Sequence, residues 1–133
     1  MFAHVASPFL RRVLLIDAAA SAAAGLAMAV GANLLEDVLG LPATLLSEAG
    51  LILFPFAIYV VAIARRDRIS PAAVFAVIAC NAVWTLGSIA LLVSGLVAPT
   101  LLGYAFVIGQ AIAVGALGEL QFMALRRARP ATA

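Results

Sequence analysis

Two acids stand where water is scarce. Asp17 is the only ionisable residue between Arg12 and Glu36, and Glu119 closes a run, residues 69–118, that carries no charge. A carboxylate in a bilayer costs about 2.5–3.5 kcal/mol even on insertion scales, so it must face protein or water and find a partner. In an up-down bundle the first and fourth helices can be neighbours, and the two acids would then sit at similar depth. Two acids held close cannot both ionise cheaply, so they would share a proton. That is the chemistry of a proton or cation site open to one membrane face. A plainer arrangement competes with it. Asp17 lies five residues past Arg12, about 7–8 Å along a helix, and Glu119 seven before Arg126, about 10 Å. Both acids would then extend to the interface or pair with Arg11, Arg12, Arg126 or Arg127.

A second polar set lies deeper. Asn81, Thr85 and Ser88 are spaced i, i+4 and i+7, so they share a helix face, with Trp84 beside them. The stripe begins about 15 Å from Pro71, and Gln110 lies about 16 Å from Pro99, near the bilayer centre in both cases. Side chains of this kind join membrane helices by hydrogen bonds worth about 0.6 kcal/mol each. The alternative is a ligand cavity lined by Asn81, Trp84, Thr85, Ser88 and Gln110. Trp84 stands out, because membrane tryptophans favour the interface.

Other chemistries lack their residues. The single histidine, His4, precedes the first apolar run, so a bis-histidine haem is excluded and no metal site is expected. The lone Cys80 excludes an intrachain disulfide. No phosphate loop, nucleophile elbow or metalloprotease motif occurs, so no catalytic residue, no cofactor and no enzyme activity are expected. The formal charge of +2 comes from eight arginines against six carboxylates. Without a basic run or interleaved aromatics, this charge does not point to nucleic acid.

The elements that must position these groups follow from composition. Of 133 residues, 66% are hydrophobic and 11% charged, with a mean hydropathy of +1.20. A soluble domain carries about a quarter charged residues. So little polar surface suits lipid rather than water. A hydrocarbon core about 30 Å thick takes about 20 helical residues to cross. The charge-free stretches supply spans over 13–35 and 45–64, and the long run divides at Ser94-Gly95 and Pro99-Thr100 into 71–96 and 99–125. Alanine runs at 18–20 and 22–24 show no strand alternation, against a membrane barrel. The fold class is all-α: one integral membrane four-helix bundle over 1–133, its helices running up and down. Ser70-Pro71 caps and opens the third span, and Pro42 and Pro99 are placed to open theirs. Pro55 falls inside the second span and removes one of its backbone hydrogen bonds.

Orientation follows from the arginines. Arg11 and Arg12, then Arg65, Arg66 and Arg68, then Arg126, Arg127 and Arg129 all fall on one face. Glu36, Asp37 and Glu48 fall on the other. Retention of arginine in the cytoplasm puts both termini inside, in the bacterial inner membrane. Arg11-Arg12 ahead of an apolar run and Ala27-Met28-Ala29 have the outline of a secretory signal. Asp17 interrupts that run, so the first span is expected to be retained.

Small residues add a packing expectation. Ser21 and Gly25, and Ala27 and Gly31, stand four apart in the first span; Ala105, Gly109 and Ala113, and Ala111 and Gly115, do so in the fourth. Such spacing lets backbones approach where lipid offers no hydrophobic drive. The first and fourth spans are expected to touch one another, or their copies in a homo-oligomer. Besides the lipid bilayer, the expected partner is a second copy or another membrane protein. Two functions fit: an oligomeric transporter or channel for a small solute or a proton or cation, or a non-catalytic accessory or assembly subunit.

Overall fold

The computed structural model describes residues 3–130, which form five helices and two short paired strands. Four helices are long and apolar enough to cross a membrane. They are α1 (Pro8–Val30), α3 (Ala43–Ala64), α4 (Pro71–Ser94) and α5 (Leu101–Arg127); the short α2 is Ala32–Leu39. Strands β1 (Val5–Ala6) and β2 (Arg129–Pro130) pair antiparallel.

The helix starts are chemically marked. Ser7 accepts the Leu10 N–H at 3.1 Å with Pro8 in the first turn, so α1 starts ahead of Arg11 and Arg12, five residues before the expected 13. Ser70 caps α4 in the same way, and Thr100 rather than Pro99 caps α5. The expected first span is corrected at its far end. Gly31 ends α1, and residues 32–35 belong to α2. The Glu36 carboxylate on α2 accepts the Ala43 N–H at 2.9 Å, satisfying a free donor at the start of α3. Gly40 and Gly95 close α2 and α4 at positive φ, 71° and 77°.

Packing divides the helices into two pairs, α1 on α3 and α4 on α5, with α1 joined more sparsely to α5. Gly25 and Gly50 face one another where α1 crosses α3. A Cβ on Gly25 would stand 2.8 Å from the Gly50 carbonyl oxygen, and one on Gly50 would stand 2.7 Å from that of Gly25. Gly25 therefore brings α1 against α3, a contact that the expected pairing of first and fourth spans omits. Gly31 has its own Ala27 carbonyl as nearest neighbour, whereas nothing stands within 4 Å of a Cβ at Gly109. Gly115 and Gly118 lie against Thr85 and Asn81 of α4.

One core cluster joins Leu10, Leu14, Val60, Ile63 and Val74 near the termini; the other joins Met28, Leu39, Leu46, Leu53 and Val107. The first end is tied further. Val5 pairs with Pro130 and bridges Ile69, while Arg11 donates from Nε to the Ala64 carbonyl and from Nη2 to that of Arg66, both at 2.7 Å. At the other end Thr100 binds the Leu39 and Val38 carbonyls. Helices α3 and α4 scarcely touch.

Candidate functional site

Between the two helix pairs runs a cleft of about 990 Å³, walled by α1 and α3 on one side and α4 and α5 on the other. Its lining is almost wholly apolar and contains four aromatic side chains, Phe56, Tyr59, Trp84 and Phe106. Among the described residues Asp17 is the only acid on its wall, and no arginine lines it.

Asp17 is buried, 2% exposed, yet it is well bonded. Ser21, one turn further along α1, donates to Oδ1 at 3.3 Å. Asn81 Nδ2 from α4 donates to Oδ2 at 2.8 Å, and Gln121 Nε2 from α5 donates to the same oxygen at 2.7 Å. Asn81 Nδ2 also donates to Gln121 Oε1 at 3.0 Å. Three helices thus meet on one carboxylate. All three donors are neutral: they satisfy its lone pairs but supply no countercharge. Arg11 is committed to the carbonyls of Ala64 and Arg66, and the Arg126 guanidinium lies over the Phe122 ring at 5.7 Å.

Glu119 has a different setting. It is exposed on α5 and lines a separate depression of about 350 Å³ with Ile78, Thr85 and Phe122. It is not among the hydrogen-bond partners of Asp17. Asn81 borders both hollows. The structure brings Asp17 together with the two amides and places Glu119 on the other hollow.

The deeper polar set also joins α4 to α5. Trp84 Nε1 donates to Gln110 Oε1 at 2.7 Å, and Gln110 Nε2 donates to Ser88 Oγ at 3.0 Å and to the Val107 carbonyl at 2.8 Å. Ser88 Oγ in turn donates to the Trp84 carbonyl at 2.7 Å. Trp84, Ser88 and Gln110 border the cleft, while Thr85 turns to the Glu119 side and donates to the Ala111 carbonyl at 3.4 Å. These bonds join helices and shape a cavity wall at once.

Gln121 is the buried partner of Asp17 that sequence reasoning missed. It is fully buried, but two residues past Glu119 and five before Arg126 it reads as part of a polar helix end. A signal existed. The buried positions Gly103, Val107, Ala111 and Gly118 advance by three to four residues per turn through Val114, and the next step is Gln121. Glu119 falls off that face.

The chain matches no protein-family model, no curated protein and no solved structure.

Proposed function

We propose that the protein is a small carrier of the bacterial inner membrane that admits a largely apolar solute from the bilayer through the gap between α3 and α4. Four long helices run up and down, both termini lie in the cytoplasm, and no catalytic step is involved. The observation that carries this reading is the cleft itself. Helices packed only to hold one another would close so large an apolar gap, whereas ligand sites are concave, largely apolar and about 300–1,000 Å³ in volume.

Trp84, the only tryptophan, borders the cleft and reports on its occupancy. Tetraphenylsilane, a neutral apolar probe, is expected to change Trp84 emission saturably in lipid nanodiscs. Gly87 also borders the cleft and has open space where a Cβ would stand. Gly87→Leu should therefore weaken binding by about tenfold, the equivalent of about 1.4 kcal/mol. An emission change that neither saturates nor responds to Gly87→Leu overturns the reading.

One observation favours the accessory-subunit alternative. Ala105 and Gly109 are exposed, and nothing opposes Gly109. This face suits a close-packed helix from a second copy or another membrane protein.

A further inference from the structure

Asp17 accepts three hydrogen bonds and still lacks a countercharge. Its partners Ser21, Asn81 and Gln121 are neutral, and the cleft beside it is lined by no basic residue. Buried charges in low-dielectric surroundings are paired or neutralised, because amide donors replace only part of the lost hydration. A carboxylate so placed is either protonated or paired with a cation that reaches it through the cleft.

Aromatic faces stand at the same level. The Arg11 bonds to the end of α3 make α1 and α3 antiparallel, and Gly25 meets Gly50 at their crossing. Asp17 is eight residues from Gly25 toward the α1 start, and Ile58 is eight past Gly50, so both lie about 12 Å from the crossing on the same side. Phe56 and Tyr59, both lining the cleft, flank that level. Trp84 stands three residues, about 4.5 Å along the helix, from Asn81, whose amide touches Asp17. Aromatic faces near an acid stabilise an organic cation through the ring quadrupole as well as by apolar contact. A small hydrated metal ion would gain nothing from such a wall.

We infer that the solute is a lipophilic organic cation. Its charged centre rests at Asp17, and its apolar body lies along the cleft against Phe56, Tyr59 and Trp84. This assignment rests on the proposed role of the cleft as a solute site, and it adds the sign of the charge.

The test uses three probes of nearly one shape: tetraphenylphosphonium, tetraphenylsilane and tetraphenylborate. Binding to the full chain in nanodiscs of uncharged lipid is followed by Trp84 emission, with partitioning into protein-free nanodiscs subtracted. A second readout is protection from N-ethylmaleimide of Cys80, the only cysteine, which is exposed on the cleft wall. The wild type is expected to bind the phosphonium at least about tenfold more tightly than the silane, and the borate most weakly. Asp17→Asn keeps an acceptor for Asn81 and Gln121 while removing the charge. It should abolish the preference for the phosphonium over the silane. Equal wild-type affinities for phosphonium and silane, or a preference that survives Asp17→Asn, overturn the cationic assignment while the cleft remains a solute site. Failure of every probe to change Trp84 emission or protect Cys80 in the wild type overturns the solute site and this assignment with it. The wild-type charge series decides the matter even where Asp17→Asn does not fold.

Discussion

Asp17, Asn81 and Gln121 form a closed arrangement in which each member is committed to the other two. The geometry has an energetic consequence that single contacts do not show. Hydrogen bonds between membrane helices average about 0.6 kcal/mol, because the separated helices also find partners. Here the acceptor is an acid, and removing one partner leaves buried groups unsatisfied, at about 1–3 kcal/mol. The larger figure governs single replacements. Asn81→Leu and Gln121→Leu are each expected to destabilise by about that amount, measured by detergent-induced unfolding. Replacing Asp17, Asn81 and Gln121 together by leucine removes donors and acceptor alike, so the triple variant should regain much of the loss. A triple variant no more stable than the worse single one contradicts this account.

At the scale of the element, the crossing of α1 and α3 sets the fold, and it depends on two glycines. Alanine is the better helix former by about 1 kcal/mol, so propensity alone favours Gly50→Ala. Sterics oppose it: the added methyl would stand 2.7 Å from the Gly25 carbonyl oxygen and 2.8 Å from the Ala29 nitrogen, both backbone atoms. Overpacking costs about 1–3 kcal/mol, and backbone cannot rotate away as a side chain can, so destabilisation should win. Gly109→Ala meets no atom within 4 Å and should be neutral or slightly stabilising. Equal unfolding midpoints for the two variants would place the close approach elsewhere. The same contrast shows what the chain discloses of itself. The long helices are legible because its charges cluster at their ends, and Ser70-Pro71 marks a start that the structure repeats. The break at Gly31 is not legible, since Ala32, Leu34 and Leu35 carry the apolar run past it. Helix pairing is hidden for another reason. Gly50 has Leu46 and Phe54 four residues away, so no spacing of small residues marks it. Asp17 was visible as an acid out of place, but its amide partners lie 64 and 104 residues further on, and only the fold brings them together.

For the whole molecule, the paired strands and the Arg11 bonds gather β1, β2 and the α3–α4 connection at one end. That end carries Arg11, Arg12, Arg65, Arg66 and Arg68, while Glu36 and Asp37 lie on α2 at the other. The structure is thus polarised along the helices by charge, and in the proposed orientation the arginine end is the cytoplasmic one. The assignment matters for the proposed function. Asp17 lies nearer the arginine end than the Gly25–Gly50 crossing does, so a cation held there would sit in the cytoplasmic half of the membrane. Single cysteines in a Cys80→Ala background test the orientation. Asp67 and Asp37 are both exposed, in the α3–α4 connection and on α2 respectively. Asp67→Cys should react with a membrane-impermeant maleimide only after the inner membrane is permeabilised, and Asp37→Cys should react from the periplasm in cells with only the outer membrane opened. The two positions are expected to give opposite results, because α3, long and apolar enough to cross the bilayer, stands between them. The reverse pattern would turn the protein over and open the Asp17 half of the cleft toward the periplasm. Labelling of both from one side would remove the membrane-spanning arrangement itself, and with it the route by which a solute enters between α3 and α4.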